Sequence, residues 1–421
     1  MSATNEKIIP EIQAEAQELV RGAEVLPEGI SGLAHRLQEV RKAGRVLRVK
    51  FGIDPTSVDL HLGHAVVVRK LKRFQEFGHQ VVLIIGGFTA QIGDPSGRNA
   101  TRPPLSESEV AANAQTYLNQ MGLILDLKKT EVVNNADWLK KLDLNSLIKL
   151  ASAVTVNQLL AKEAFGERFE KQLPVSFHEL FYPILQGYDS IAVRADIELG
   201  GTDQRFNNLQ GRQLQPLYGQ PPQLVMLLPL LEGTDGVKKM SKTYDNYIGL
   251  KDVPEEMFGK CMRIPDELII KYFELATVYG GEQIDQIKRD LDKGGNPKEA
   301  KLKLAKQIVS QYHGSEAADL ELSRWERVHS QRQMPAKDEI PVHRVKPDMP
   351  LFRILVESGL ATGTAEAKRL IKEGAVQYCA KVVNDPNWLP ISGEQDHNQG
   401  VDRILQVGRR KFCALVPEEK D

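Results

Sequence analysis

The chain has 421 residues and a formal net charge of −1, with 41% hydrophobic and 26% charged residues. These values are typical of a globular protein of two to four domains, and they exclude a strongly basic chain, so any nucleic-acid surface must be local. We expect no membrane partner, because no apolar run reaches the length of a bilayer span and the acidic N-terminus lacks the features of a targeting peptide. The three distant cysteines form no CxxC pair, which predicts a cytoplasmic location.

Residues 1–45 have the spacing of amphipathic helices, and we expect them to pack on the outside of a sheet. Two apolar stripes carry this prediction: Ile12, Ala16 and Val20, and then Leu33, Leu37 and Val40.

The stretch after residue 46 predicts a strand, a loop, a helix and a second strand. Apolar residues alternate over 47–53, a helical spacing extends as far as Gly78, and 81–85 is an unbroken apolar run. This order is that of one parallel crossover unit in a nucleotide-binding sheet. We therefore predict an α/β fold with a Rossmann-like parallel sheet.

The predicted loop, FGIDPTSVDLHLGH, places two histidines at the start of the helix. His61 and His64 flank Gly63, which permits close approach of a ligand to the backbone. Free N–H groups and the helix dipole favour a phosphate there. Taken alone, the HxGH pattern also fits a helix cap or a metal pair. No nearby Cys or His completes a zinc site, so we expect no protein-held metal.

Two later stretches carry polar residues in patterns that suit a pocket. In SFHELFYPILQGYDSIAVRADI, we predict that Tyr182, Gln186 and Asp189 share one helix face, although a solvated face is the common alternative. The opposite, core face is predicted to contain Phe177, Leu180, Phe181, Ile184 and Leu185. In ELGGTDQ, the paired glycines allow a ligand to approach, and Asp203 suits a ribose hydroxyl.

A polar, glycine-containing loop ends in Lys239-Met240-Ser241-Lys242-Thr243, which suits a mobile lid that delivers lysines to phosphate. The ordered pair HLGH and KMSKT resembles the signatures of class I aminoacyl-tRNA synthetases. The residues between them resemble the tyrosyl-tRNA synthetase family more closely. The resemblance implies that tyrosine and ATP form tyrosyl-adenylate and pyrophosphate, and that the tyrosyl group then moves to the 3′ end of tRNA(Tyr).

By this resemblance, one set of residues holds ATP and the departing pyrophosphate, which Mg²⁺ would accompany without a protein cage. Catalytic roles fall on Thr56, His61, His64, Lys239, Lys242 and Thr243. ATP-binding roles fall on Asp54, Gly63, Arg98, Arg102, Gly201, Asp203 and Ser241.

A second set is implied to bind tyrosine, with Asp189 accepting a hydrogen bond from the substrate phenol. Its members are Thr89, Asp94, Tyr182, Gln186, Asp189 and Gln204. The chain departs from one branch of the family at two positions, where Lys50 replaces a tyrosine and Glu198 replaces a glutamine. We expect these two side chains to form a pair beside the phenol.

The resemblance also implies the domain organisation. Residues 1–250 form the catalytic domain with its N-terminal helical segment, 251–330 a helical anticodon-side domain, and 331–350 a proline-rich linker. Residues 351–421 resemble the S4 RNA-binding domain, a small α+β module. Its implied RNA-binding residues are Lys368, Arg369, Lys372, Arg409 and Arg410.

Family members are dimers, so a homodimer is expected. Two alternatives remain open from the sequence. One is a tryptophanyl-tRNA synthetase, against which Asp189 and the appended RNA module argue. The other is a synthetase-like RNA-binding or splicing protein, against which the intact HLGH, GGTDQ and KMSKT motifs argue.

Overall fold

The structure is a computed structural model, and it describes residues 7–56, 59–95, 106–327, 340–391, 403–408 and 411–418. The chain forms two compact units, Met1–Ser315 and Glu316–Asp421. Among the described helices, none combines the length and the hydrophobicity that a bilayer span needs.

The first unit is built on a six-stranded sheet with the order β1-β6-β5-β2-β3-β4. Neighbouring strands from β6 to β4 are parallel, and only β1 is antiparallel to its neighbour. The fold class is therefore α/β with a Rossmann-like sheet, as predicted. The strands are β1 Glu24–Leu26, β2 Arg48–Ile53, β3 Gln80–Ile85, β4 Thr130–Asn134, β5 Ile197–Gly201 and β6 Leu224–Leu228.

The predicted strand–helix–strand unit is confirmed as β2, α3 and β3. Residues 81–85 of β3 are buried, as expected for a strand covered on both faces. The chain passes from β2 to β3 and β4 on one side, and then returns to place β5 on the other side of β2. The strand order therefore reverses between β2 and β5, where open parallel sheets bind ligands beyond the strand ends.

Helices cover both the N-terminal region and the connections between strands. Those before β5 are α1 Pro10–Val20, α2 Gly29–Lys42, α3 Leu62–Glu76, α4 Thr89–Ile92, α5 Glu107–Met121, α6 Ala136–Leu139, α7 Leu144–Ala151, α8 Val156–Leu160, α9 Glu163–Glu170 and α10 Tyr182–Ala192. Those after β5 are α11 Arg205–Leu214, α12 Pro254–Arg263, α13 Ile269–Ala276, α14 Gly281–Asp292, α15 Pro297–His313 and α16 Ser315–Trp325.

Three expectations for this unit were wrong in part. Residues 1–45 are not all helical, because β1 lies between α1 and α2 and adds an edge to the sheet. Residues 105–170 are expected to be rich in helix, because Ala111, Ala114, Leu118 and Met121 have helical spacing, but they also contain β4, an edge strand that is too exposed to show an apolar run. Phe177 was placed in the core, yet it is 74% exposed and lies in a short 3-10 segment before α10.

Among its described residues, the second unit contains nearly all of α16, two further helices and a five-stranded sheet with the order β7-β11-β10-β8-β9. Its core includes Ile354, Leu355, Ile371, Leu405 and Leu415. This small region of mixed helix and strand has the α+β character predicted for the C-terminal module. Its elements are β7 Val342–Val345, α17 Leu351–Glu357, α18 Thr364–Lys372, β8 Val376–Tyr378, β9 Lys381–Val382, β10 Ile404–Val407 and β11 Lys411–Pro417. The predicted domain boundaries at 250, 330 and 350 stay predictions.

Candidate active site

A cavity of about 860 Å³ lies in the first unit, beyond the carboxyl ends of β2, β3 and β5. It gathers side chains from segments that are far apart in sequence, and all but four of the residues predicted for catalysis, ATP and tyrosine lie on its wall. The predicted residues on its wall are Asp54, Thr56, His61, Gly63, His64, Thr89, Asp94, Tyr182, Gln186, Asp189, Glu198, Gly201, Asp203, Gln204, Lys239, Ser241 and Thr243. Lys50 and Lys242 lie outside this lining, and Arg98 and Arg102 lie outside the described residues.

Asp54 follows β2 and joins the residues that were predicted to bind tyrosine. Its Oδ1 accepts a hydrogen bond from Thr89 Oγ1 at 2.7 Å, and its Oδ2 accepts one from Tyr182 OH at 2.9 Å. Burial raises the pKa of Asp54 to about 7, although both hydrogen bonds oppose this shift. Gly86 makes the arrangement possible, since a Cβ there would lie 1.9 Å from Asp54 Oδ1. The geometry thus places the Asp54 side chain beside Thr89 and Tyr182.

His61 and His64 stack at the start of α3, with ring centroids 3.9 Å apart. The backbone N–H of His61 donates to Nδ1 of His64 at 3.3 Å, so the Nε2 of His64 carries its proton. Burial, followed by neighbouring positive charge, lowers the pKa of His61 to about 2 and that of His64 to about 4. Both rings are therefore neutral at pH 7 and can donate a hydrogen bond without carrying charge.

The KMSKT segment closes one side of the cavity, and its two lysines are paired with carboxylates. Lys239 Nζ lies 3.1 Å from Asp203 Oδ2, and Lys242 Nζ lies 3.2 Å from Asp59 Oδ2. The segment is anchored by Asn246, whose Oδ1 accepts from the backbone N–H of Ser241 at 2.8 Å and whose Nδ2 donates to Asp235 Oδ2 at 3.0 Å. Asn246 is buried and was not predicted.

Asp189 is buried at the wall of the cavity, and two side chains hold its carboxylate. Trp138 Nε1 donates to Oδ1 at 2.8 Å, and Asn135 Nδ2 donates to Oδ2 at 3.2 Å. Burial raises the pKa of Asp189 to about 6, while the positive charge of Lys50 and these hydrogen bonds oppose the shift. The orientation of Asp189 is thus fixed by Asn135, which directly follows β4, and by Trp138 of α6, and the sequence analysis predicted neither these residues nor that strand.

Lys50 and Glu198 form the predicted pair, directly opposite each other where β2 meets β5. Lys50 Nζ lies 2.9 Å from Glu198 Oε1, and the two side chains are 0% and 1% exposed. The ammonium also donates to Ser190 Oγ and to the carbonyl of Gln186. Three acceptors therefore surround Lys50, and the structure places it beneath the cavity rather than on the wall.

Glu198 belongs to a buried polar network under the same part of the cavity. It accepts from Gln186 Nε2 at 3.2 Å, Ser190 Oγ at 3.1 Å and Gln223 Nε2 at 2.5 Å. Ser190 and Gln223 are further functional candidates that the sequence did not single out, because a lone Ser or Gln gives no signal without its partner.

The basic residues of the second unit form an exposed face on α18. Lys368, Arg369 and Lys372 point outward, while Ala367 and Ile371 pack into the core. Arg369 pairs with Glu373 on the same helix at 3.0 Å. The other two predicted RNA-binding residues, Arg409 and Arg410, lie outside the described residues.

Comparison with known proteins gives one family match and many relatives. Residues 42–329 match the family described as tRNA synthetases class I (W and Y). The tyrosine–tRNA ligase of Carboxydothermus hydrogenoformans is 46% identical over 419 residues, covering 98% of this chain and 100% of that protein. The tyrosine–tRNA ligase of Thermotoga maritima is 47% identical over 380 residues, covering 90% and 92%.

Solved structures share the fold of this chain. A C-terminally truncated mitochondrial tyrosyl-tRNA synthetase of Aspergillus nidulans aligns with a TM-score of 0.62 at 21% identity, covering 76% of this chain and 93% of that one. The tyrosyl-tRNA synthetase of Archaeoglobus fulgidus, complexed with L-tyrosine, aligns with a TM-score of 0.58 at 21% identity, covering 74% and 99%.

Proposed function

The chain belongs to the class I tRNA synthetases for tryptophan and tyrosine and is a tyrosine–tRNA ligase, and from this premise we propose that its chemistry takes place in the cavity beyond β2 and β5. The reaction joins tyrosine to ATP, releases pyrophosphate, and transfers the tyrosyl group to the 3′ end of tRNA(Tyr). The observation that carries the proposal is Asp189, a buried carboxylate on the cavity wall with both oxygens held in place.

Asp189 supports recognition of a phenol because its carboxylate can accept a hydrogen bond from the substrate hydroxyl. A substrate without this hydroxyl would leave a buried charged group without a partner on the cavity side, which is costly. Lys50 supports this role from beneath, since its positive charge favours the ionised form of Asp189. We assign Lys50 to the support of the phenol site from beneath, and Glu198, which reaches the cavity wall, to holding Lys50 in place.

At the other end of tyrosine, Asp94, Asp54, Tyr182 and Gln204 line the cavity and suit the ammonium and carboxylate. The substrate carboxylate then attacks the α-phosphorus of ATP, and the bond to pyrophosphate breaks. No covalent enzyme intermediate is needed, so catalysis rests on positioning and on stabilisation of charge that grows on the phosphates.

The phosphate end of the reaction is assigned to His61, His64, Lys239 and Lys242. Neutral imidazoles can donate hydrogen bonds to phosphate oxygens, and the two lysines supply positive charge as pyrophosphate leaves. Lys239 would exchange Asp203 for phosphate when ATP arrives, which would leave Asp203 available for the ribose. Thr56, Gly63, Gly201, Ser241 and Thr243 line the same region and are assigned to ATP.

Mg²⁺ is proposed to enter with ATP and to be held by phosphate oxygens and water. The protein groups at the phosphate end are imidazoles and lysines, and the described residues contain no cluster of three or more His, Cys, Asp or Glu side chains suited to a metal. These groups fit a metal carried by the substrate, whose positive charge would add to that of the two lysines.

We propose that a second copy of the chain covers exposed apolar side chains of the sequence segment 144–177, giving the expected homodimer. Several large apolar side chains of this segment are exposed. Because monomeric proteins seldom expose extended apolar patches, this exposure favours an interface. On α7, Leu144 and Ile148 are 71% and 58% exposed and lie one helical turn apart. The others are Val156, Phe169, Leu173 and Phe177.

The dimer can be tested by sedimentation equilibrium of Ile148→Asp. We expect a shift from dimer to monomer. The control is Val278→Asp, which changes an exposed valine outside this segment and should leave the dimer intact. A monomeric wild-type protein would contradict the proposal.

Transfer to tRNA is assigned to both units, with the exposed basic face of α18 contacting the RNA backbone.

A cytoplasmic location is also proposed, supported by the three cysteines, which are free of disulfides.

The test of the proposed function is exchange of pyrophosphate into ATP, without tRNA, in the presence of tyrosine, tryptophan or phenylalanine. Tyrosine alone should support rapid exchange. Exchange with tryptophan would favour the other specificity of the family, and no exchange with any amino acid would favour an RNA-binding protein without catalysis.

A further inference from the structure

We infer that Lys162 and Asn207 are positioning residues, which orient Asp94 and Gln204 to receive the ammonium group of the amino-acid substrate. This inference rests on the proposed function, since it assigns a specific role within the same cavity. Neither residue lines the cavity, and both are buried behind its wall.

The four side chains form a closed ring. Gln204 Nε2 donates to Asp94 Oδ2 at 2.7 Å, and Asn207 Nδ2 donates to Gln204 Oε1 at 2.9 Å. Lys162 Nζ donates to Asn207 Oδ1 at 2.9 Å and lies 3.7 Å from Asp94 Oδ1. The ring therefore begins and ends on Asp94, the carboxylate predicted to bind the ammonium.

Two charged groups, Lys162 and Asp94, set the direction of the hydrogen bonds in this ring. An ammonium can only donate, so Asn207 must turn its oxygen towards Lys162 and its NH₂ group towards Gln204. Gln204 must then present its oxygen to Asn207 and its NH₂ group to Asp94. The Asp94 carboxylate can only accept, so it requires the same directions from the other end. Lys162 therefore acts as the buried anchor of the ring, because it holds Asn207 and, through Asn207, Gln204 in position and also lies next to Asp94.

The backbone around Lys162 is held firmly enough to position its side chain. Lys162 precedes the first residue of α9, and its carbonyl accepts hydrogen bonds from the N–H groups of Phe165 and Gly166. Its ammonium also lies over the ring of Phe165, 5.4 Å from the centroid. Asp94, by contrast, follows α4 in an irregular segment, so its side chain depends on partners for its orientation.

The charge of the ring supports the same role. Asp94 and Asp203 both favour the charged form of Lys162, although burial outweighs them and lowers the pKa of this lysine. A buried lysine is costly unless it is paired, and here its charged partner is Asp94, which lines the cavity.

The experiment compares two inhibitors of tyrosine-dependent pyrophosphate exchange that differ only in the ammonium group, tyramine and 4-ethylphenol. The variants are Lys162→Met, which keeps the length of the side chain, and Asn207→Asp, which retains an acceptor for Lys162 but cannot donate to Gln204. Lys129→Met is the control, because Lys129 is an exposed lysine with a carboxylate neighbour, Asp126, at 3.9 Å.

In wild type, tyramine should inhibit more strongly than 4-ethylphenol. In both variants this advantage should shrink about tenfold, the range expected for one hydrogen bond to a charged group. The inhibition constant of 4-ethylphenol and the KM for ATP should stay at their wild-type values. The control should retain the full advantage of tyramine.

Two results would overturn the inference. One is an unchanged advantage for tyramine in both variants. The other is an equal weakening of both inhibitors, which would indicate a structural role. Failure of the proposed function would look different, because wild type itself would then show no tyrosine-dependent exchange.

Discussion

The buried Lys50–Glu198 pair makes the sharpest prediction about stability. The two charges lie 2.9 Å apart with at most 1% exposure, so neither can be hydrated when its partner is removed. Loss of one member of such a pair typically costs about 3–5 kcal/mol, whereas replacement of both by neutral side chains is often nearly neutral. We therefore expect Lys50→Met and Glu198→Gln to be more harmful separately than together.

The surroundings make the two single losses unequal. Without Glu198, Lys50 keeps two acceptors, Ser190 Oγ and the carbonyl of Gln186. Without Lys50, Glu198 keeps neutral donors, but Asp189 also loses the positive charge that lowers its pKa. Two buried carboxylates would then lack a cation, so Lys50→Met should lie at the upper end of the range and should become less costly at lower pH.

The assay is hydrogen–deuterium exchange of peptides that contain β2 and β5, which reports the free energy of opening of this part of the sheet. The double variant should recover about 3 kcal/mol relative to the sum of the single losses. Additive losses, with no coupling energy, would refute the reasoning and show that the two charges are stabilised separately by their neutral partners.

Three other predictions follow from the same geometry. Lys242→Ala should raise the barrier to tyrosine activation by about 3 kcal/mol while barely changing tyrosine affinity. Equal losses in rate and affinity would contradict a role in pyrophosphate release. Removal of 351–421 should leave pyrophosphate exchange nearly intact and impair tRNA charging; loss of exchange in a folded protein would place the module within the catalytic core. The raised pKa of Asp189, about 6 against an ordinary 3.8, means that its ionisation destabilises the fold as pH rises through 6. Asp189→Asn should therefore gain up to about 3 kcal/mol relative to wild type between pH 4 and pH 7, as measured by urea unfolding, and a pH-independent difference would contradict the shift.

The sequence predicted those parts of the fold that have strong local patterns. β2, α3 and β3 follow from an alternating run, a helical spacing and a buried apolar run. The edge strands β1 and β4 do not, since the first has three residues and the second is largely exposed. Such strands are specified by the neighbour with which they pair, and this cannot be read from their own residues.

The candidate site also contains residues that local sequence motifs predict and residues that they do not. Most of the polar residues on its cavity wall could be predicted because they occur in motifs that resemble a known family. Trp138, Asn135 and Lys162 could not, because their roles depend on contacts with Asp189 and Asp94 across 51, 54 and 68 positions of sequence. Phe177 was misplaced for a related reason: a helical spacing does not reveal that the helix begins only at Tyr182.

The central claim is that Asp189 recognises the phenol of tyrosine. The most direct measurement is the ratio of activation efficiencies for tyrosine and phenylalanine, obtained by pyrophosphate exchange for wild type and Asp189→Ala. Wild type should strongly prefer tyrosine, and the variant should lose at least about tenfold of this preference, with an unchanged KM for ATP. An unchanged ratio would contradict the claim and would mean that another group reads the hydroxyl.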